Sequence, residues 1–260
     1  MKIGVACITY LRPKKLAQML YCFEQQTHAD RELVILDDAG QYADCEGDRW
    51  RLVSRDKRWP TLGEKRNAAT ALLSEDCEAV AVWDDDDLYL PWALEATARA
   101  LENAAWSVPS LVLHPTPIEP IMLRGRSEHV APVKHVLFQH ETGGLFHGQW
   151  AYRREAFDRV GGYPAHDNGE DQKLAARFHR AGIKTADPCR MGCRPFYLFP
   201  WEYNWCHGEP SHISGAGPNG YNERGALKAD TPNRFALTSD VPPIDIHHPV
   251  FVDGVYPRKF

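Results

Sequence analysis

The sequence AVAVWDDDD, residues 79–87, places four consecutive carboxylates directly after a short apolar run. Valine, alanine and tryptophan in such a run are typical of a buried strand. Neighbouring carboxylates repel one another and raise each other's pKa, so a hard divalent cation with oxygen ligands stabilises the cluster. The segment therefore predicts a strand that ends in a metal site, with a phosphate-bearing ligand beside it.

Apolar and amphipathic runs alternate on both sides of this strand. They predict strands at 3–9, 33–36 and 79–83, and helices at 13–26, 62–73 and 91–103. Strands that alternate with helices of this length form a mostly parallel sheet with helices on both faces, and ligands bind at the carboxyl ends of its strands. We therefore expect an α/β fold with a Rossmann-like central sheet.

Polar side chains follow three of the predicted strands. They lie at Thr9–Arg12, Asp37-Asp38 and Asp84–Asp87. Because the carboxyl ends of parallel strands meet at one edge of a sheet, we expect these groups to converge on one cleft. Pro13 fits the first turn of a helix that leaves this edge.

The second half of the chain is less regular. Prolines interrupt residues 108–141, and short apolar runs there, including 118–123, indicate irregular strands. We predict a strand at 148–153, a helix at 154–160 and a second helix that opens near Glu170-Asp171.

Composition places the chain among ordinary globular proteins. It has 260 residues, 43% apolar and 25% charged, with a net charge of -5 that gives no general attraction to nucleic acid or anionic lipid. It shows neither the order of a signal peptide nor the run of about 20 apolar residues that a transmembrane helix needs. Seven scattered cysteines suit reduced thiols. We therefore expect a cytoplasmic protein with no transmembrane segment.

Five segments in fixed order resemble the motifs of family 2 glycosyltransferases, which use nucleotide sugars and have the GT-A fold. They are an opening strand and turn, a strand ending in paired aspartates, a helix start with a glycine shortly before Arg-Asn, an Asp-x-Asp strand end, and a Gly-Gly-aromatic motif followed by Glu-Asp. Here they lie at 8–13, 36–38, 62–67, 83–88 and 161–171. The resemblance implies metal-dependent, inverting transfer of a sugar from a nucleoside diphosphate donor, a UDP-sugar first of all, to a hydroxyl acceptor such as a glycan.

The resemblance also assigns contacts with the donor. It implies that Thr9 and Asp38 contact the base, and that Arg66 and Asp84 contact the ribose or neighbouring groups. Carboxylates in the cleft accept hydrogen bonds from base imide and ribose hydroxyl groups. The other residues predicted to bind the donor are Tyr10, Arg12, Lys65 and Asp85.

Asp86 is the predicted metal ligand, with Asp84 beside it. Four aspartates in a row leave the register open, so Asp85 and Asp87 are alternatives. Either His207 or His212 is expected to add a ligand from a loop after the core. Oxygen-rich ligands with one imidazole suit Mn²⁺ or Mg²⁺.

Asp171 is the predicted catalytic base, in a pair with Glu170. In an inverting transfer, a carboxylate takes the proton of the acceptor hydroxyl as that oxygen attacks the anomeric carbon. The first turn of a helix stabilises the ionised form. The alternative is that both residues are ordinary acids at a helix start.

By this resemblance, residues 1–220 form the GT-A domain, with a donor-binding half at about 1–105 and an acceptor-binding half at about 106–220. Residues 221–260 are rich in Gly, Pro, Asn and Asp and predict an extended, irregular arm. We expect the arm to pack on the main body or on a second subunit, which would give a homodimer. A nucleic-acid acceptor is disfavoured by the negative net charge, although residues 124–135 include a local basic patch.

Two other classes of function present a similar pattern. A nucleotidyltransferase also offers carboxylates to metal and phosphate, but it is expected to carry a glycine-rich basic loop after the first strand, and residues 9–15 contain no glycine. A catalytically silent nucleotide-sugar or carbohydrate-binding module would keep the donor cleft without a base. The presence of Asp171 argues against that alternative.

Overall fold

The sheet that carries the predicted site is built from strands at both ends of the described chain. The computed structural model describes residues 1–114, 138–141, 144, 146–193 and 197–198. The strands are β1 (Ile3–Thr9), β2 (Arg31–Asp37), β3 (Cys45–Gly47), β4 (Trp50–Ser54), β5 (Ala79–Asp84), β6 (Leu88–Tyr89), β7 (Trp106–Ser107), β8 (Leu111–His114), β9 (Phe138–Glu141), β10 (Ala151–Arg153), β11 (Thr185–Ala186) and β12 (Tyr197–Leu198). The helices are α1 (Pro13–Glu24), α2 (Leu62–Ala71), α3 (Ala93–Leu101), α4 (Arg154–Arg159) and α5 (Glu170–Arg180).

Among the described residues, the main sheet has eight strands in the order β11-β7-β10-β5-β1-β2-β4-β3, and β6, β12, β8 and β9 form a smaller sheet. Strands β5, β1, β2 and β4 are parallel neighbours, whereas β10 and β3 run antiparallel to their partners. Ile8 lies opposite Asp84, and Thr9 lies opposite Asp37. The mostly parallel sheet is thus confirmed, and the predicted polar strand ends meet at one edge.

Alternate residues of β1 explain why helices cover both faces of the sheet. Val5 and Cys7 pack into one apolar core with α1 and α3. Ala6 and Ile8 pack into a second core with α2, α4 and α5. Both sets are buried, as expected for a strand between two helical layers. The three-layer α/β arrangement is therefore the predicted one.

The sequence predictions differ from the structure mainly in the short elements. The strand predicted at 148–153 was too long, because His147–Gln149 form a short 3-10 helix and the strand begins at Ala151. Two hydrogen bonds hold this turn. The Tyr89 hydroxyl donates to the Gly148 carbonyl oxygen at 2.6 Å, and the Trp150 amide donates to the His147 carbonyl oxygen. Strands β3, β4, β6, β7, β11 and β12 were not predicted, because their short runs carry little alternation.

Several predictions concern residues that the structure does not describe. These are the apolar run at 118–123, the basic patch within 124–135, the loop with His207 and His212, and the arm at 221–260. Among the described helices, none combines the length and the apolar character needed to cross a membrane.

Candidate active site

The run Asp84–Asp87 alternates between the protein interior and the cleft. Asp85 and Asp87 are buried, whereas the side chains of Asp84 and Asp86 are 26% and 13% exposed. Strand β5 ends at Asp84 and the next three residues form a turn, so the contacts of the individual side chains set this alternation. It leaves Asp84 and Asp86 as the carboxylates that face the cleft.

Asp85 is held inside the protein by β1 and the turn after it. The Thr9 hydroxyl donates to its Oδ2 at 2.6 Å, and the Arg12 guanidinium pairs with its other oxygen. Burial raises the pKa of Asp85 to about 6, against the attraction of Arg12. Asp85 therefore anchors the acidic run and is not presented to the cleft.

Arg12 connects the buried and the exposed carboxylates. It is itself buried, and its Nη1 lies 2.5 Å from Asp86 Oδ2. The sequence predicted that Arg12 contacts the donor, and the structure places it between Asp85 and Asp86. We use the name acidic edge for Asp84–Asp87 together with Arg12 and Arg66.

Arg66 on α2 contacts both the acidic run and the first residue of α5. Its Nη2 donates to Asp84 at 3.1 Å, and its Nε donates to Glu170 at 3.2 Å. Burial raises the pKa of Glu170, while Arg66 pulls it down. Glu170 of the predicted catalytic pair is therefore engaged in an ion pair with Arg66, which holds the start of α5 against α2.

The glycine and asparagine of the motif at 62–67 explain why Arg66 reaches Glu170. A Cβ on Gly63 would lie 1.9 Å from the Pro164 carbonyl oxygen, so only glycine lets α2 approach this closely. Asn67 exchanges two hydrogen bonds of 2.9 Å with the backbone of Tyr163. These contacts dock α2 against the segment before α5.

Asp38 lies beneath two cations. Lys65 Nζ donates to Asp38 at 2.5 Å and to the Thr9 carbonyl at 2.7 Å, and burial lowers the pKa of Lys65. Arg58 Nε lies 3.2 Å from the other Asp38 oxygen, and its guanidinium lies 3.7 Å above the Tyr10 ring. Both Asp38 oxygens are therefore engaged, and Arg58 covers Tyr10.

Asp171 lies beside a cavity of about 620 Å³ between α5 and the ends of β7 and β11. We call it the α5 cavity. Its walls include Trp106, Val108, Trp150, Asp171, Ala176 and His179. Asp171 and Glu170 are neighbours at the start of α5, yet Glu170 is buried against Arg66 and Asp171 is half-buried at the cavity. Asp171 is therefore the carboxylate that an external molecule can reach.

Residues missed by the sequence analysis fix the shape of the acidic edge. The Tyr89 hydroxyl accepts from the Asp84 amide at 2.8 Å while it donates to the Gly148 carbonyl. A Cβ on Gly148 would lie 2.8 Å from Asp84 Oδ2 and 2.9 Å from Asp87 Oδ2. Tyr89 follows the acidic run closely in sequence, but no local pattern pointed to Gly148 or Arg58.

The acidic edge fits a divalent cation that arrives with a diphosphate. The carboxylates of Asp84–Asp87 and Glu170 outnumber the guanidinium groups of Arg12 and Arg66. Within the described residues, no three ligand atoms of this set lie within 4.8 Å of one another. Mg²⁺ and similar ions are commonly held by one or two carboxylates, waters and substrate phosphates. Asp84 and Asp86 supply such a partial ligand set.

A sequence model of Glycosyl transferase family 2 matches residues 5–161, more than half of the chain. The chain belongs to this family. A curated relative, the uncharacterized glycosyltransferase YwdF of Bacillus subtilis (strain 168), is 30% identical over 117 residues, which cover 40% of each protein. The family match includes the acidic edge and stops before α5.

Solved structures of glycosyltransferases share the fold. TarS 1–349 of S. aureus has a TM-score of 0.50 at 16% identity, over 78% of this chain and 61% of its own. The mannosyltransferase PcManGT of Pyrobaculum calidifontis, solved with GDP-Man and Mn2+, has a TM-score of 0.51 at 16% identity, over 72% and 54% of the two chains. This likeness confirms the predicted GT-A fold. The chain spans less than two thirds of each of these relatives.

Proposed function

We propose that this family 2 chain transfers a sugar from a nucleoside diphosphate donor, with UDP as the first choice, to a hydroxyl acceptor with inversion at the anomeric carbon. One observation carries the proposal. Arg66 bonds both Asp84 of the acidic edge and Glu170, and Asp171 next to Glu170 reaches the α5 cavity. Arg66 thus connects a site for a charged donor with the segment that carries an accessible carboxylate.

Donor binding follows from the exposed part of the acidic edge. Asp84 and Asp86 would hold Mn²⁺ or Mg²⁺ together with the donor diphosphate, and the metal would neutralise the charge on the departing diphosphate. TarS 1–349 has been solved with UDP-GlcNAc and PcManGT with GDP-Man and Mn2+, so proteins of this fold accept both kinds of donor. His207 and His212 remain proposed further ligands.

The base of the donor would lie near Tyr10 and Asp38. In this structure Arg58 covers the ring of Tyr10 and contacts Asp38, and Lys65 holds the other Asp38 oxygen. A base that stacks on Tyr10 therefore requires Arg58 to shift. The planar base of the donor would then take the place of the Arg58 guanidinium on the Tyr10 ring.

The chemical step uses Asp171 as the base. The acceptor hydroxyl gives its proton to the Asp171 carboxylate while its oxygen forms the bond to the anomeric carbon. The bond from that carbon to the diphosphate breaks, and its electron pair leaves with the nucleoside diphosphate. Attack from the side opposite the leaving group inverts the anomeric centre. The arm at 221–260 is proposed to complete the domain or to form a homodimer contact.

Family membership favours glycosyl over nucleotidyl transfer, and the position of Asp171 favours an enzyme over a silent binding module. The test is incubation of the protein with a panel of nucleoside diphosphate sugars, Mn²⁺ and a mixture of glycosides. Mass spectrometry would detect a glycosylated product, and NMR would give its anomeric configuration. Inverted product supports the proposal. A product with retained configuration would overturn it. So would a protein that neither hydrolyses nor transfers the sugar of any donor.

A further inference from the structure

One side chain, Arg58, covers both of the residues that the proposed function assigns to the donor base. Its guanidinium carbon lies 3.7 Å from the centre of the Tyr10 ring, and its Nε lies 3.2 Å from Asp38 Oδ2. Carbon atoms in contact lie about 3.5–4.0 Å apart. The guanidinium therefore occupies the layer in which a base stacked on Tyr10 would lie.

Asp38 keeps other partners when Arg58 moves away. Lys65 Nζ donates to Asp38 Oδ1 at 2.5 Å, and the Trp59 amide donates to Asp38 Oδ2 at 3.4 Å. A buried carboxylate without a partner is costly, but Asp38 retains a cation on one oxygen and an amide on the other. The departure of Arg58 also leaves a lone pair of Oδ2 free to accept from an N–H group of the base.

The backbone around Arg58 is anchored, whereas its side chain reaches water. A Cβ on Gly40 would lie 3.0 Å from the Asp56 Cα, so the segment that carries Arg58 packs closely on the turn after Asp38. Trp59 packs against the apolar core beneath α2. The Arg58 side chain itself is 25% exposed. Rotation of this long side chain into solvent therefore opens the ring of Tyr10 without a movement of the loop.

We propose that Arg58 closes the base site of the free protein, that it swings outward when the base binds, and that this closure lowers the affinity for the donor. The inference rests on the proposed function, because it concerns the place where the donor base is proposed to lie. A single movement uncovers the face of Tyr10 and the Oδ2 oxygen of Asp38 together. The open form is only a fraction of the free protein, and the apparent dissociation constant rises by the inverse of that fraction.

The alternative role for a cation at this position is to attract the donor diphosphate. The two roles change the affinity in opposite directions when Arg58 is removed. Loss of a closing side chain tightens the binding of ligands that carry a base, whereas loss of an attracting cation weakens the binding of every anion. Inorganic pyrophosphate carries the charge of a diphosphate without a base, so it separates the two roles.

The test compares Arg58→Ala with Arg55→Ala. Arg55 is an exposed arginine of the same segment that pairs with Asp44, so Arg55→Ala removes the same charge away from the ring of Tyr10. Calorimetry measures the dissociation constants of UDP, GDP, CDP, ADP, dTDP and pyrophosphate, each with Mn²⁺, for the wild type and both variants. Circular dichroism confirms that the variants are folded.

We expect Arg58→Ala to bind UDP roughly two- to tenfold more tightly than the wild type, because the base no longer displaces a cation from the Tyr10 ring. Arg55→Ala should bind UDP no more tightly than the wild type, and pyrophosphate should bind all three proteins with similar affinity. The proposal is overturned if Arg58→Ala binds every nucleotide with the affinity of the wild type or more weakly. It is also overturned if pyrophosphate binding tightens as much as nucleotide binding.

Sugar transfer, assayed on the same three proteins, separates this inference from the proposed function. Tighter nucleotide binding by Arg58→Ala, in a protein that transfers no sugar from any donor, supports closure by Arg58 and contradicts the transferase. Sugar transfer together with equal nucleotide affinities in the wild type and Arg58→Ala supports the transferase and contradicts the closure. If neither the wild type nor Arg58→Ala binds any of the nucleotides, both proposals are contradicted.

Discussion

The acidic edge and the α5 cavity lie in the same domain but are built on different principles. In the acidic edge, Asp84, Asp85 and Asp86 each pair with a guanidinium group. In the cavity, aromatic walls surround a buried indole N–H, and the charges at the rim compensate each other. The first arrangement is fixed by ion pairs before a charged ligand arrives, and the second combines apolar walls with the accessible carboxylate of Asp171.

The largest effect is expected from removing Asp86, one of the two exposed carboxylates of the acidic edge. Asp86→Ala should abolish metal-dependent donor binding and lower the transfer rate by roughly 10³–10⁵-fold, because several kcal/mol of charge stabilisation is lost. Donor turnover at fixed Mn²⁺ measures the effect. Asp76→Ala, an exposed acid at the opposite edge of the sheet, is the control. Normal turnover in Asp86→Ala would move the metal to another aspartate of the run.

Asp171→Asn tests the cavity side of the comparison. It should leave donor affinity unchanged and slow transfer by about 10²–10⁴-fold, because only the proton acceptor is lost. Calorimetry gives the donor affinity and product formation gives the rate. Asp158→Asn on α4 changes an exposed acid away from both regions and should behave as the wild type. Unchanged turnover in Asp171→Asn would refute its role.

Gly148→Ala sharpens the contrast without removing a charged group. The added methyl group would press on Asp84 and Asp87, so donor affinity should fall roughly tenfold and stability by about 1–3 kcal/mol. Gly182→Ala strains a residue with a φ of +65° but meets no side chain, so it should lower stability alone. Equal donor affinity in the two variants would show that Gly148 does not shape the acidic edge.

His147 lies between the two regions and gives the smallest effect. It is buried, its Nε2 lies 2.9 Å from the Tyr163 hydroxyl, and its ring contacts Trp150. Burial and then Arg66 hold the pKa of His147 well below its ordinary value. As the pH falls from 7 to 5, the unfolded chain takes up a proton at this residue while the folded chain does not. The contribution of His147 to the free energy of unfolding therefore decreases, by at most about 1.4 kcal/mol per pH unit.

Urea unfolding at pH 7 and pH 5 measures this dependence. His147→Gln keeps a polar partner for Tyr163 and should reduce the loss of stability at pH 5. His166→Gln, at an exposed histidine, should retain the loss seen in the wild type. A loss of the same size in His147→Gln would contradict the assignment.

Local patterns were sufficient for the frame of the domain. The buried runs of β1, β2 and β5 and the amphipathic runs of α1, α2 and α3 carry their own periodicity, so their order and the meeting of their ends could be predicted. The alternation within Asp84–Asp87 could not be assigned, because it depends on where β5 ends and on Thr9 and Arg12. Four identical residues carry no signal of register.

Long-range contacts set the rest of the candidate site. Gly63 was part of a motif, but glycine is required there because Pro164, about a hundred residues later, approaches its backbone. Arg58 and Gly148 act through residues far away in sequence, and Trp106 owes its place at the α5 cavity to the pairing of β7 with β10 and β11. Such contacts appear only when the chain is folded.

The most direct test of the donor site is calorimetric titration of the wild-type protein with UDP, GDP, CDP, ADP and dTDP, each without and with Mn²⁺. We expect UDP to bind at least about tenfold more tightly with Mn²⁺, since the metal joins the diphosphate to Asp84 and Asp86. If another nucleotide binds most tightly in the presence of Mn²⁺, the donor carries a different base from the one proposed, and the donor site stands. Equal affinities with and without Mn²⁺, or no binding of any nucleotide, would contradict a metal-dependent donor site at the acidic edge.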